Sequence, residues 1–185
     1  ADMEVDTKEL ITIGILSDSL GLVSEATDSK AVRLIADYID DGVSLAKIDN
    51  LRRETYRKSP EIIRYKAQLL SRIEYWADGQ VSTVTIPWKE IEQYSHEYNP
   101  SMLVIEEMRQ ATGVNLAVAF KIYPDRITAK LRANYGHKIC DKIAEKFGGG
   151  GHPYASGFKI KGKNLNVDDI TNKVIIEYLR LIKDD

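Results

Sequence analysis

The sequence predicts an α/β fold in which a mixed β-sheet is flanked by helices. Segments with the period-two alternation of β-strands recur between residues 81 and 162, and segments with helical spacing separate them. Apolar residues make up 43% and charged residues 29% of the 185 residues. That composition is typical of a globular chain with a hydrophobic core and excludes a mainly disordered one.

The first 50 residues predict a helical region. Residues 5–17 form a helix or an apolar segment, and their dense apolar run predicts burial on nearly all sides. Residues 28–41 predict a helix with Asp28 or Thr27 as its N-cap. The charged stretch 44–58 ends before Pro60 and is interpreted as the linker zone. We therefore expect domain regions at 1–50 and 61–185, joined by a linker at 51–60.

The remaining residues alternate between segments with helical periodicity and segments with strand periodicity. A helix is expected from Pro60 to 77, and VSTVTI is β-branched and alternating, as in a strand. The later expected helices are 87–96, 101–111, 137–147 and 167–182, and the later expected strands are 114–122, 126–132 and 158–162.

Charge is distributed unevenly along the chain. Residues 1–50 contain eleven acidic and four basic residues, whereas residues 120–163 contain ten basic and three acidic ones. Two solvated faces would explain this, and so would an acidic half suited to metal and a basic half that meets an anionic substrate. A lone cysteine, Cys140, excludes an internal disulfide and a multi-cysteine zinc site. No apolar run is long enough for a membrane span, and the acidic start lacks a signal-peptide pattern, so we expect a cytoplasmic protein.

The segment GGGGHPYASG, residues 148–157, is the most informative stretch. Gly148, Gly149, Gly150 and Gly151 favour a backbone that takes positive φ or lets a ligand approach. Free N–H groups in such a loop bind anions, and a short helix starting near His152 and Pro153 would add its dipole. His152 could then donate to a phosphate or stack on a base. The alternative is a flexible glycine linker with a surface histidine.

Two further residues are candidates for chemistry. Arg132 ends an alternating strand in which Thr128 and Lys130 share its face, and a guanidinium can clamp a phosphate with two hydrogen bonds. The alternative for Arg132 is an exposed arginine at a strand end. Asp18 follows an apolar run, a position typical of metal ligands, although an N-cap or turn aspartate is the other interpretation.

The motif GGGH-x-x-A-x-G resembles the signature of the DHHA1 domain, the carboxy-terminal half of DHH-type phosphoesterases. These include RecJ-like exonucleases and NrnA-like oligoribonucleases. The segment ITAKLRANYGHKICDKIAEKFGGGGH is similar to the family's strand, arginine, helix and glycine loop, and it puts Arg132 on the phosphate-binding arginine. Upstream, ELITIGILSDSLGL resembles the last metal motif of the DHH domain, with Asp18 on a manganese ligand and serines 17 and 19 in place of the usual threonines.

The resemblance implies a DHHA1 domain at 61–185, preceded by a helical remnant of a DHH domain at 1–50. The family holds two Mn²⁺ ions with residues of earlier motifs, including Asp-His-His, and this chain has neither Asp-His-His nor Asp-x-Asp. We therefore expect the substrate-binding part of a longer phosphodiesterase that lacks its amino-terminal DHH domain. Such a part would be inactive alone and would bind Mn²⁺ weakly or not at all.

The family's substrates include short RNA, di-adenylate, 3′-phosphoadenosine 5′-phosphate and single-stranded DNA. The small size of this chain and its modest basic balance favour a short substrate over a long strand. Oligomerisation is compatible with the sequence. The alternative is a module that binds nucleotides or nucleic acid without hydrolysing them. A third reading follows from the DHHA1-like domains that accompany alanyl-tRNA synthetases, but Asp18 and the helix before it resemble the phosphoesterase pattern instead.

Overall fold

A computed structural model describes residues 3–24 and 27–183 of the chain. The chain divides into two compact units, residues 1–58 and 59–185. No helix in the described residues is long and apolar enough to cross a membrane.

The first unit consists of three helices, α1 (Val5–Asp18), α2 (Ser29–Asp40) and α3 (Leu45–Thr55). The predicted cap of α2 is confirmed, because the Asp28 carboxylate accepts a hydrogen bond of 2.8 Å from the Ala31 N–H. Apolar contacts within this unit join the buried residues Tyr38, Val43 and Ile48.

The boundary between the two units, after residue 58, lies within the expected linker 51–60. Two details of this unit nevertheless differ from the sequence prediction. Residues 51–55 are helical and form the end of α3, because Ser44 caps that helix and Asp49 pairs with Arg52 and Arg53 one turn later. A surface helix can therefore be highly charged throughout. The apolar run of α1 is not buried on all sides either, since Leu10 is 69% exposed within the described structure.

The second unit contains a mixed six-stranded sheet, which confirms the predicted fold class. The strands have the order β1-β2-β3-β4-β6-β5, with β2 and β3 parallel and the other neighbours antiparallel. Their bounds are β1 (Glu74–Trp76), β2 (Val81–Ile86), β3 (Leu116–Tyr123), β4 (Arg126–Ala133), β5 (Gly150–His152) and β6 (Ala155–Lys161). The expected helix 60–77 is shorter than predicted, because β1 forms within it and pairs with β2.

Helices pack on both faces of this sheet. The helices α7 (Cys140–Glu145) and α8 (Val167–Leu181) cover one face, where the alternate residues Ile127, Ala129, Leu131 and Ala133 of β4 are buried. The other face is covered by α4 (Pro60–Leu70), α5 (Trp88–Tyr94), a 3-10 helix (Pro100–Leu103) and α6 (Ile105–Gln110).

This second layer of helices packs mainly on β2 and β3, whose residues Val84, Ile86, Ala117 and Ala119 belong to its core. On β4, β5 and β6 the same side of the sheet carries half-buried or exposed polar residues and glycines. We call this uncovered side of β4, β5 and β6 the open face.

Candidate nucleotide-binding site

The glycine segment forms a β-hairpin at the edge of the sheet. Gly150 to His152 make up β5, which pairs with β6 so that His152 lies opposite Ala155 and Gly150 lies opposite Gly157. The short helix expected at His152 and Pro153 is therefore wrong. Proline tolerates the turn that joins the two strands as well as it tolerates the first turn of a helix. The Pro153 carbonyl accepts a hydrogen bond of 2.8 Å from the Cys140 N–H, which ties this turn to the start of α7.

Three of the four glycines are required by the backbone or by packing. Gly148 has a φ of +70°, and Gly151 has a φ of +143°. A Cβ on Gly151 would lie 2.7 Å from the Ala155 carbonyl oxygen, and a Cβ on Gly149 would lie 2.6 Å from the Phe158 Cβ. Gly150 has neither restraint, since a Cβ there would meet open space.

The sheet places Arg132 and His152 on the same face. Arg132 lies opposite Ala155 on β6, and Ala155 lies opposite His152 on β5. Because directly opposite residues of paired strands point to the same side, both side chains belong to the open face. They are two strands apart, or about 10 Å between backbones, a separation that a phosphate and its nucleoside can span.

The predicted alternation of β4 is confirmed by burial. Thr128, Lys130 and Arg132 are only half-buried, whereas the intervening residues face the core. The Arg132 guanidinium donates one hydrogen bond of 2.9 Å to the Leu131 carbonyl, and its other N–H groups remain available for a phosphate.

Other basic residues join Arg132 on the open face, and sequence reasoning did not select them as site residues. On β4 and β6 they are Lys130 and Lys159, with Arg126 and Lys161 at the far end, and Lys121 lies next to them in register on β3. Burial lowers the pKa of Lys130, and the neighbouring charges of Arg132 and Lys121 lower it further. The described residues bring no carboxylate within 4 Å of the charged groups of Lys121, Lys130, Arg132 or Lys159. A cluster of unneutralised cations with a lowered lysine pKa favours binding of an anion.

Small residues separate these cations. Gly157 lies between Lys130 on β4 and Gly150 on β5, so two neighbouring positions of the open face carry no side chain. A flat ring or a ribose can therefore approach the backbone closely at this place.

Asp18 belongs to no cluster of three or more metal-ligating side chains among the described residues. It is the last residue of α1 and is exposed. Within residues 3–24 and 27–183, no three His, Cys, Asp or Glu side chains are grouped in a way that could hold a metal ion. These residues therefore do not by themselves fit a manganese centre.

The fold of the chain is shared with a solved structure. An exopolyphosphatase-related protein from Bacteroides fragilis matches with a TM-score of 0.80 at 20% identity, covering 97% of this chain and 52% of that protein. This likeness establishes the α/β fold class.

Sequence comparison gives more particular relatives. The chain is 26% identical over 157 residues to the bifunctional oligoribonuclease and PAP phosphatase NrnA of Thermus thermophilus. It is 22% identical over 152 residues to the protein of the same name from Bacillus subtilis. No family model matches the chain. The relatives bearing the NrnA name confirm the resemblance to DHH/DHHA1 phosphoesterases.

These matches cover 84% and 82% of this chain but only 45% and 47% of the two NrnA proteins. The chain thus spans about half the length of the curated relatives that it matches.

Proposed function

We propose that this chain is the substrate-binding part of a Mn²⁺-dependent phosphodiesterase that hydrolyses short oligonucleotides, di-adenylate or 3′-phosphoadenosine 5′-phosphate. The observation that carries the proposal is the position of Arg132 and His152 on one open, cationic face, two strands apart. The two relatives named as oligoribonucleases and PAP phosphatases support the same class of substrate.

Each group on this face has a part in binding. The Arg132 guanidinium holds a phosphate through two parallel hydrogen bonds, a geometry that suits phosphate oxygens. The exposed imidazole of His152 donates to a second phosphate oxygen or stacks on a base. The glycine positions 150 and 157 let the nucleoside lie against the backbone.

Hydrolysis requires groups that lie outside the described residues. In the intact enzyme, bound Mn²⁺ would supply Lewis-acid chemistry at the reacting phosphate. A DHH domain amino-terminal to this chain would provide most of the ligands, and Asp18 would provide one. The chain alone is then a binding domain, and it should not hydrolyse di-adenylate in the presence of Mn²⁺.

A second candidate is a module that binds nucleotides without hydrolysing them. It is compatible with the finding that the described residues contain no cluster of three or more His, Cys, Asp or Glu side chains that could hold a metal ion. The two candidate functions predict different proteins in the source cells. An intact polypeptide with Asp-His-His upstream and Mn²⁺-dependent hydrolysis supports the enzyme, and a native chain of 20.9 kDa supports the module.

Titration of the 185-residue chain with 5′-phosphorylated diadenylate tests the binding role. Arg132→Gln should weaken binding about 10- to 150-fold, because one charge-assisted contact is worth about 1.5–3 kcal/mol. Arg180→Gln is the matched control, since Arg180 lies on α8, against the opposite face of the sheet, and pairs with Glu177. Equal affinities of the Arg132 and Arg180 variants would refute the proposed role of Arg132.

A further inference from the structure

Met102 is the outward-facing residue of the 3-10 helix Pro100–Leu103. A 3-10 helix has about three residues per turn, so one residue of each turn points away from the surface on which the helix packs. Ser101 is fully buried and Leu103 is 1% exposed, whereas Met102 between them is 38% exposed. The buried neighbours hold this short helix in place, and the Met102 side chain is thereby kept at the surface.

The side chain of Met102 contacts a cation of the open face. The Lys130 ammonium on β4 donates a hydrogen bond of 3.0 Å to the Met102 sulfur. Lys130 lies opposite Gly157, where the nucleoside is proposed to lie against the backbone. Met102 therefore borders the proposed nucleotide site although it belongs to the helices that cover β2 and β3.

This contact leaves the charge of Lys130 available to a ligand. A thioether is an uncharged and weak hydrogen-bond acceptor, so it does not neutralise the ammonium. Burial and the charges of Arg132 and Lys121 already lower the pKa of Lys130. A strong acceptor in place of the sulfur would hold the ammonium firmly, because hydrogen bonds are strengthened where water is partly excluded.

Met102 is also the accessible sulfur of the second unit. The chain has three methionines and one cysteine. Met108 and Cys140 are fully buried, and burial raises the pKa of the Cys140 thiol to about 12, which makes the reactive thiolate scarce. Met3, which is 42% exposed, lies in the first unit. A peroxide in solvent therefore reaches one sulfur of the second unit, that of Met102.

From this arrangement, and resting on the proposed function, we infer that Met102 is an oxidation-sensitive switch that acts on the nucleotide site through Lys130. The oxidant is hydrogen peroxide. The thioether sulfur attacks one peroxide oxygen, the O–O bond breaks, and the S–O bond of methionine sulfoxide forms. Proton transfer to the departing hydroxide releases water, so the sulfur is oxidised by two electrons and the peroxide is reduced by two.

The sulfoxide changes what Lys130 can bind. Its oxygen is a strong acceptor and takes the ammonium hydrogen bond that a phosphate would otherwise receive. The 3.0 Å between the Lys130 nitrogen and the Met102 sulfur leaves no room for an oxygen atom between them, so an oxygen on that side also forces the two side chains apart. Methionine sulfoxide reductases regenerate the thioether, so the change is reversible.

Titration of the 185-residue chain with 5′-phosphorylated diadenylate, before and after peroxide treatment, tests this inference. Oxidation should weaken binding by the parent about 2- to 10-fold, the range for one hydrogen bond, and methionine sulfoxide reductases A and B together should restore it. Met102→Leu should bind equally before and after treatment. Met3→Leu is the matched control, since it removes the other exposed methionine, and it should stay as sensitive as the parent. A loss in Met102→Leu equal to that of the parent would overturn the inference.

Two further variants test the route through Lys130. Lys130→Gln has no ammonium for the sulfoxide to hold, so its affinity should be the same before and after peroxide. Met102→Gln places an amide oxygen beside Lys130 without any oxidant, and it should bind the dinucleotide more weakly than Met102→Leu does. A peroxide-sensitive Lys130→Gln variant, or equal affinities of Met102→Gln and Met102→Leu, would overturn the inference.

A measurement without ligand separates this inference from the proposed function. Oxidation of Met102 should raise the pKa of Lys130, followed by NMR of the lysine-labelled chain, because the sulfoxide oxygen stabilises the charged ammonium. An unchanged pKa of Lys130 would overturn the switch, and the phosphate site would remain in place if Arg132→Gln still weakens binding. Dinucleotide binding that is insensitive to Arg132→Gln would refute the proposed function itself.

Discussion

Adjacent glycines of β5 should respond in opposite ways to the same substitution. Gly151→Ala places a Cβ 2.7 Å from three atoms of Ala155 and Ser156, at a φ of +143°. A strained backbone residue costs about 1–3 kcal/mol, and overpacking costs a similar amount. We therefore expect Gly151→Ala to lower the free energy of unfolding by about 2–5 kcal/mol. Gly150→Ala meets open space and should change it by less than about 0.5 kcal/mol.

Urea denaturation followed by tryptophan fluorescence measures this difference. Both tryptophans, Trp76 and Trp88, lie in the unit 59–185, so their emission reports on the unit that contains the hairpin. The parent, Gly150→Ala and Gly151→Ala are compared by their midpoints at a common slope. Equal destabilisation by the two variants would refute the argument from local geometry.

Ligand binding then gives Gly150 a second readout. Its Cβ would project from the part of the open face that carries no side chains, where the nucleoside is proposed to lie. Gly150→Ala should therefore keep the parent's midpoint and lose affinity for phosphorylated diadenylate. Unchanged affinity would show that the ligand does not approach the backbone at this position.

Three further predictions concern the interior of the second unit. Burial raises the pKa of the Cys140 thiol to about 12. The unfolded thiol ionises from about pH 8.5, so the free energy of unfolding should fall above that pH by up to about 1.4 kcal/mol per unit, and Cys140→Ala should remove this component. Tyr65 is 1% exposed and donates a 3.0 Å hydrogen bond to the Glu90 carboxylate. Tyr65→Phe should cost about 1.5–3 kcal/mol in urea unfolding, and no loss would contradict the value of that bond. The Asn134 amide donates to two backbone carbonyls at 2.7 Å. Asn134→Ala should cost about 1–3 kcal/mol in the same assay, whereas an unchanged midpoint would mean that solvent replaces both bonds.

The elements that were predicted best from the sequence have an unambiguous hydrophobic periodicity. β2 begins and ends as predicted, because VSTVTI is β-branched and Pro87 cannot continue a strand. The alternation of residues 126–132 also assigned Arg132 and Lys130 to the side opposite Leu131, as the structure has it.

The elements that were missed depend on tertiary contacts. The hairpin of β5 and β6 was read as an anion-binding loop followed by a helix, because a glycine run and a proline fit both structures. The short strand β1 exists only because β2 pairs with it. Charge along 44–58 indicated a linker, although an N-cap and ion pairs one turn apart stabilise a helix there equally well.

The candidate site was predictable only in its separate parts. Arg132 and His152 were each selected from sequence, but their position on one face depends on the order β4-β6-β5. Spacing along the chain carries no information about strand order, since residue 132 and residue 152 are separated by a helix. Lys159 had a weak signal in the alternation of FKIKG, which puts Lys159 and Lys161 on the same side.

Both outer strands of the sheet are very short. β1 and β5 have three residues each, whereas the four strands between them have six to eight. An unpaired strand edge is a template for association with another chain, and brief edge strands limit that template. The sheet is thereby protected from edge-to-edge aggregation at both ends, and its long apolar strands remain in the middle. Replacing the glycines of β5 with β-branched residues would favour such association and would also disturb the hairpin.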